Sequence, residues 1–404
     1  VGVIATTRTL DDGTTEAGFR IYIAGGLGAT PHPALALEEF TSREDLLPTI
    51  EAALRVFEQT GNRDNKLRAR MKWVVDALGI DEVRRRVLKV RLTLPASSSW
   101  PGGIPEEVLK AGDSPAGLSE TVAPTAVGQG VNVSLTPRDP YQRWVATSVI
   151  YGRANGSVSA VAYAALGDIT ASQFRSLASI QRELGADVRL SNRQNVVFRG
   201  LTEAQLPTLF ARLEAIEMAR PGAELARDVV ACPGSDTCNI AVTQSRGLAK
   251  AIGQVLEEEG LAEVGGVRIN ISGCTNSCGQ HHTSDIGFFG AERRAHGKSA
   301  PGYQMLLGGY VGQEQINFGE KALRLPAKAA PQAAARVVRR FADERTAGET
   351  FRTWMDRVGG ATAVADGLRD LDVFPHPDEH PEYYADFDET GPFVAEVGES
   401  ECAV

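Results

Sequence analysis

Cysteine is scarce in this chain, with five among 404 residues, too few for a fold stapled by disulfides at this length. Basic charge is not in excess either. The formal net charge is -9 at pH 7, which excludes a general electrostatic footprint for nucleic acid and suits a small molecule or a protein with a basic face. No apolar run approaches the roughly 20 residues needed to cross a bilayer, and no segment reads as a secretory signal. The expectation is a cytoplasmic protein with no membrane and no nucleic-acid partner. What is present is ordinary for a globular chain: 43% hydrophobic and 23% charged residues, enough for two or three domains with cores of their own.

The chain repeats itself. Gly18 to Gly28, GFRIYIAGGLG, and Gly302 to Gly312, GYQMLLGGYVG, share a glycine and an aromatic residue, an apolar strand and then paired glycines. One residue of gap aligns them. A helix is expected after each, in REDLLPTIEAALRVFEQTGN and in AAPQAAARVVRRFADER, both with apolar residues three and four apart and an Arg-x-Phe near the end. The second copy follows a long patterned stretch from Val131 onward, whereas the first copy starts almost at residue 1. The equivalent leading portion is therefore expected to be missing from the N-terminal side.

Between the copies, residues 100–130 are rich in Gly, Pro and Ser and read as a linker. Beyond it RWVATSVI (143–150) and SVSAVAYAAL (157–166) read as strands, and residues 170–184 as a helix. A strand turn at DVRLSNRQNVVFRGL (187–201) and a helix over 202–216 follow, the latter opened by a capping box of Thr202 and Gln205. The expected organisation is a first α/β unit (1–99), the linker, an alternating unit (131–225), a second α/β unit with the cysteines (226–360) and a C-terminal tail (361–404).

Four cysteines fall in two pairs, CPGSDTC (Cys232, Cys238) and CTNSC (Cys274, Cys278), thirty-five residues apart. The fifth, Cys402, lies in the tail and has no assigned role. Buried apolar cysteines rarely occupy such turning, polar surroundings. Zinc would fit the second pair and fit the first loosely, and soft thiolates with no interleaved carboxylate suit iron and sulfide as well. Small residues around Cys232 and Cys274 let the backbone pass close to inorganic sulfide and offer it N–H donors.

With CPGSDTC, CTNSC, QNVVFRG, SDIGFFG and the two glycine-rich repeats, the chain resembles the siroheme and 4Fe-4S nitrite and sulfite reductase family from Gly18 to about Trp354. The resemblance implies an α+β fold of two related α/β units joined through a ferredoxin-like half domain. It implies that Cys232, Cys238, Cys274 and Cys278 ligate one 4Fe-4S cluster, and that Cys278 bridges it to the iron of siroheme. Six-electron reduction of nitrite to ammonia or of sulfite to sulfide follows, since side chains alone have no such redox capacity. No flavin or NAD domain is visible, so ferredoxin or a similar small carrier is the expected electron donor.

Siroheme is rich in carboxylates and the substrate is a small anion, so cationic donors are expected around both. Arg189, Arg193 and Arg199, and also Arg63, Lys66, Arg70 and Lys72, are candidates, with solvated surface charges as the alternative. Gln194 and Asn195 match the family's Arg-Gln-Asn turn beside the macrocycle. Gly25, Gly26 and Gly28 lack the full dinucleotide layout and are expected beside a cofactor, or simply in a tight turn. His281 and His282 carry no assignment. The family's substrate-facing Arg and Lys cluster lies largely in the portion expected upstream, so no catalytic residue is assigned. Two alternatives stand beside the reductase: a corrin-synthesis enzyme of the same superfamily, and an electron-relay or structural subunit that keeps only the cluster.

Overall fold

The computed structural model describes residues 1–100, 139–152, 158–312, 315–395 and 398. Most of the expected linker, the start of the alternating unit and Cys402 lie outside these residues. The chain divides into two compact units, Val1–Ala116 and Gly117–Ala403.

The first unit is a three-stranded antiparallel sheet, β1 (Gly2–Thr9), β2 (Thr15–Ile23) and β3 (Leu35–Thr41), in that order. It is followed by α1 (Leu46–Thr60), α2 (Met71–Leu78) and α3 (Ile80–Arg91). Alternate residues Ile21 and Ile23 of β2 turn inward and meet Ala52, Ala53 and Val56, spaced along one stripe of α1. Asp81 and Glu82 in the first turn of α3 and Lys89 and Arg91 in its last complement the helix dipole. Arg91 also reaches Glu38 of β3 at 2.7 Å and ties the helix to the sheet.

The second unit opens with a half domain, α4 (Pro140–Ser148), β4 (Val149–Tyr151), β5 (Val158–Ala162), α5 (Ala171–Leu184), β6 (Asp187–Leu190), β7 (Val196–Leu201) and α6 (Leu206–Glu214). Its four strands form an antiparallel sheet in the order β4, β5, β7, β6. RWVATSVI, read as a strand, is mostly helix. The Asp139 carboxylate accepts the Tyr141 N–H and Pro140 occupies the first turn, so a strong start signal outweighs the β-branched residues that follow. Trp144 is thereby placed at the centre of the half-domain core with Phe198 and Leu209. The capping box of Thr202 and Gln205 is present, and Thr170 with Gln173 forms a second one at the start of α5.

A five-stranded sheet follows, in the order β14 (Glu320–Pro326), β11 (Lys298–Leu307), β10 (Ile286–Ala295), β9 (Ile269–Ser272), β8 (Val230–Ala231). β8 and β9 are parallel and are joined by α7 (Ser245–Glu258). β9 also runs parallel to β10. β10, β11 and β14 are antiparallel, and β12 (Tyr310–Val311) pairs with β13 (Ile316–Asn317) in a short ribbon. Helices α8 (Ala330–Glu344), α9 (Phe351–Arg357) and α10 (Gly360–Asp366) pack on this sheet around Phe341, Phe351 and Trp354.

The fold is α+β, and the duplication is structural. β10, β11, β14 and α8 repeat β1, β2, β3 and α1. An offset of 284 carries Gly18 in β2 to Gly302 in β11 and Thr60 at the end of α1 to Glu344 at the end of α8, although past the bulges the pairing differs by one residue, Tyr22 with Ala36 against Leu306 with Lys321. Phe19 pairs with Thr41, and Tyr303 pairs with Leu325. Both helices have 15 residues. The larger difference falls earlier, in the hairpin. The second copy turns on two residues, His296 and Gly297, both left-handed as a tight hairpin requires, whereas the first uses a five-residue loop between Thr9 and Thr15.

Candidate functional site

The four cysteines lie at the C-terminal ends of two parallel neighbours, β8 and β9, where open parallel sheets place their ligands. Cys232 directly follows β8, and its N–H bonds to Ile271 O at 3.1 Å. The chain then makes a tight turn at Gly234, in the left-handed region at φ 65°, where the Cys238 N–H returns to Gly234 O at 3.0 Å. Ser245, at the start of α7, donates to Cys232 O at 2.7 Å. The Gly273 N–H points at Cys232 Sγ at 3.2 Å.

The two cysteine loops touch backbone to backbone. A side chain at Gly273 would come within 2.7 Å of Thr243 O and 2.9 Å of Gly234 Cα. Gly279 has no room at all, since a Cβ there would lie 2.0 Å from Ile271 O. The loop from Cys274 to Gln280 is held onto β9 by two side chains of that strand. Asn270 Nδ2 donates to Gly279 O at 2.9 Å, and Ser272 Oγ accepts the Gly279 N–H at 3.1 Å. Ser277 and Gln280 adopt left-handed backbone angles in the same loop, strain that L-residues adopt only where the surroundings hold them.

Electrostatically the four thiols form one neighbourhood. Burial raises the Cys274 thiol, the Asn276 N–H opposes this, and Cys232, Cys278 and Cys238 each add to the rise. Cys278 is exposed and the other three are half-buried. Among the described residues no three His, Cys, Asp or Glu side chains are gathered tightly enough to hold a single metal ion. Cys238 stands on the wall of a cavity of about 970 Å³ that is also lined by Asp386, Glu389 and Phe393 of the C-terminal segment. Asp386 anchors that segment by accepting the Gln244 N–H at 2.9 Å.

Arg193, Gln194 and Asn195 form the turn between β6 and β7, with Gln194 left-handed at φ 64°. All three reach the cysteine-bearing sheet. Gln194 Nε2 donates to Ala231 O, the residue before Cys232, at 3.0 Å. Arg193 donates to Asp228 O at 2.5 Å and to Asn270 Oδ1 at 3.4 Å, and Asn195 donates to the Asp228 carboxylate at 2.8 Å. Burial raises the carboxyls of Asp228 and Glu224, and the Arg193 guanidinium opposes that rise in both. This turn therefore locks the half domain to the strand that delivers Cys232. A cleft of about 450 Å³ runs beside it, lined by Gln194, Asn195, Ala231, Pro233 and Arg246.

Arg189 and Arg199 share a face of the β6–β7 hairpin, where both pair with Asp187 and Arg189 is exposed. In the first unit, Arg63 Nη2 donates to Glu58 O at 3.1 Å near the end of α1, and its guanidinium lies 5.3 Å from the Phe57 ring centroid. Gly26 bridges His32 through two backbone hydrogen bonds, Gly25 packs on Ala34, and Gly28 turns at φ 92° beside Arg70. The buried ammonium of Lys72 donates to Leu27 O and Thr30 O at 3.2 and 2.6 Å, holding the glycine turn from inside.

Asn270, Ser272 and Asp228 were not singled out from sequence. The available signal was INIS, a strand buried along its whole length that nevertheless carries polar residues at alternate positions on one face.

A duplicated three-stranded unit, an antiparallel half domain and two cysteine pairs at adjacent parallel strand ends together define a class of duplicated α+β chain with a four-cysteine site. The chain belongs to the family described as the nitrite and sulphite reductase 4Fe-4S domain, which matches residues 1–95 and 222–365. Residues 151–216 match the nitrite/sulfite reductase ferredoxin-like half domain. It is 28% identical over 88% of its length to an assimilatory ferredoxin-dependent nitrite reductase of Haloferax mediterranei. It is 30% identical over 79% of its length to a ferredoxin–nitrite reductase of Synechococcus elongatus, and 26% identical over 84% to a ferredoxin sulfite reductase of Mycobacterium tuberculosis. It spans only 57%, 55% and 56% of these relatives. The solved structure of the Mycobacterium tuberculosis NirA protein has the same fold, with a TM-score of 0.67 at 23% identity over 91% of this chain and 61% of that one. No helix among the described residues is long and apolar enough to cross a membrane.

Proposed function

We propose that this chain carries the prosthetic-group end of a six-electron reductase of nitrite or sulfite, working in the cytoplasm with ferredoxin or a similar small carrier as electron donor. Cys232, Cys238, Cys274 and Cys278 would ligate a 4Fe-4S cluster, and Cys278 would also reach the iron of siroheme. The observation that carries the reading is the placement of both cysteine pairs at neighbouring strand ends, in a chain of this family. The Cys274 thiol senses the other three, so the four share one electrostatic field.

When bound, the two groups supply stepwise electron delivery and an open position for the anion. The residues of the chain prepare for them. The Gly273 N–H is aimed at Cys232 Sγ, and the glycine contacts let two loops approach without side chains between them. The raised Cys274 thiol must lose its proton on ligation, so metal uptake releases protons and weakens as pH falls. Arg193, Gln194 and Asn195 support this reading as residues that fix strand β8, and with it Cys232, against the half domain.

Anaerobic reconstitution of the chain with iron, sulfide and siroheme tests the reading. An absorption band in the red from the isobacteriochlorin, together with about five irons per chain, four for one such cluster and one for siroheme, supports it. Iron and sulfide without the red band favour the electron-relay alternative. Iron uptake unaffected by Cys274→Ser would overturn the ligand assignment.

A further inference from the structure

Cys278 is bracketed by two buried polar groups that have no partner among the described residues. Ser277 Oγ, on the residue before it, is buried and unpaired. His281 Nε2, three residues after it, is also buried and unpaired. His281 is fully buried, with its ring 4.2 Å from that of His282 and 5.0 Å from that of Phe289. Burial, with the charge of His282 adding to it, holds the imidazole well below its ordinary range, at about 3, so the ring is neutral.

The proton on that neutral ring can be placed. Nδ1 lies 2.8 Å from Ser272 Oγ, which already accepts the Gly279 N–H at 3.1 Å. A serine hydroxyl has one proton to give. If Ser272 donates it to Nδ1, the imidazole proton sits on Nε2 and a single buried group is left unmatched. If Nδ1 donates instead, both the serine proton and Nε2 are stranded. Buried polar groups without partners are costly, so the first arrangement holds, and Nε2–H is a donor lacking an acceptor. Register supports the placement. Ser272 stands opposite Phe289 on the adjacent strand, so the hydroxyl, the imidazole and the Phe289 ring share one face of the sheet at the end where the cysteines emerge.

We propose that His281 and Ser277 are hydrogen-bond donors to the bound prosthetic group, contacting an electron-rich acceptor, either an inorganic sulfide or a macrocycle carboxylate, on each side of Cys278. The inference rests on the cofactor reading above and goes beyond it in assigning positioning residues that ligate no metal. Donors to cluster sulfur raise the reduction potential by stabilising the added electron. A donor to a carboxylate retains the macrocycle instead.

The test uses the full chain in three measurements. With ¹⁵N-labelled histidine and no cofactor, the His281 ring nitrogens should report the neutral Nε2–H tautomer unchanged from pH 5 to 8; an Nδ1–H tautomer would refute the donor. In the reconstituted chain, His281→Gln places an amide near the Nε2 position, whereas His281→Asn reproduces only the Nδ1 side. The His281→Asn variant should then lose roughly 10-fold in retention of iron or siroheme, and the His281→Gln variant should recover most of it. A fall in cluster potential identifies sulfide as the acceptor, and siroheme loss at unchanged potential identifies a carboxylate. Equal behaviour of the wild type and His281→Asn sinks the proposal. Ser277→Ala should leave the melting temperature of the empty chain unchanged or raised and should weaken retention in the loaded chain; lower stability of the empty chain with unchanged retention would make Ser277 merely structural. A wild-type chain that takes up no iron defeats the cofactor reading itself, and the tautomer measurement separates that failure from this one.

Discussion

The two copies of the duplicated unit share strand order and helix length yet differ in what borders them. β10 is flanked by β9, and most of its first half is buried, whereas nearly all of β1 is exposed, with Val3 and Ile4 open to solvent. The neighbour that covers β10 is the parallel pair that delivers the cysteines. One ancestral three-stranded sheet and helix thus serves two ends. In the second copy it is the floor of a thiol site, and in the first its edge strand pairs on one side only, with β2, among the described residues. Matching cores therefore do not imply matching chemistry.

The largest expected difference between the copies is metal retention. Cys278→Ser should abolish retention of siroheme and reduce iron in the reconstituted chain to a small fraction of the wild-type content. The double change Gly25→Ala and Gly28→Ala in the first copy should leave iron content unchanged while lowering stability through the left-handed Gly28. Iron content read by colorimetric assay decides it. Equal iron loss from both variants would show that the first copy is part of the cluster site.

Next in size is core packing. Phe57 and Phe341 occupy the same position of their helices, but Phe341 is fully buried between Phe351 and Trp354, whereas Phe57 is half-buried under Arg63. Phe341→Ala should cost about 3–5 kcal/mol, and Phe57→Ala about 1–2 kcal/mol from the smaller area lost. Chemical denaturation followed by fluorescence measures both. Similar losses would mean that the two cores are equally tight.

Much of this contrast is legible in the sequence, and the failures have identifiable causes. Paired glycines, the Arg-x-Phe helices and both cysteine pairs announce the duplication and the site, because periodicity and turn chemistry are local. RWVATSVI reads as a strand because its helix is set by Asp139 and Pro140, upstream of the apolar run. The basic candidates are legible as charges but not as partners. Arg193 faces into a buried network, Arg189 pairs with Asp187 at the surface, and Lys72 fills a turn. Those outcomes depend on which strands become neighbours. Nor can pattern show that Phe393, in a segment read as tail, packs close to the Cys238 loop.

A third contrast concerns pH. Asp285, one residue before β10, accepts the Arg268 N–H at 2.8 Å, and burial raises its carboxyl to about 7. β1, the equivalent strand of the first copy, carries no carboxyl group between Gly2 and Thr9. A carboxyl raised in the folded state holds its proton where the unfolded chain has released it. Its contribution to stability is therefore fully present below about pH 4, and is lost as pH rises towards 7. Asp285→Asn should accept the same N–H without titrating. The stability gap between variant and wild type should thus widen in favour of the variant between pH 4 and 7, as read from melting temperatures. A constant gap would show that Asp285 titrates normally.

The smallest expected effect is the most direct probe of the shared ancestry. Ala24 and Gly308 stand at equivalent positions, and both are left-handed, at φ 66° and 79°. Alanine in that region costs about 1–2 kcal/mol, so Ala24→Gly relieves strain. Against that, glycine adds about 0.5–1 kcal/mol of backbone entropy to the unfolded chain, and the buried methyl is worth about 0.8 kcal/mol. The terms nearly cancel, and the variant should fall within about 0.5 kcal/mol of the wild type. Gly308→Ala has no such compensation. It acquires the left-handed strain, and its Cβ would lie 2.4 Å from Cε of the fully buried Met355, which must repack. A loss of about 1–3 kcal/mol is expected. Equal tolerance at the two positions would mean that the turn, rather than the residue in it, adjusts, and that the left-handed angle is not what the two copies have kept in common.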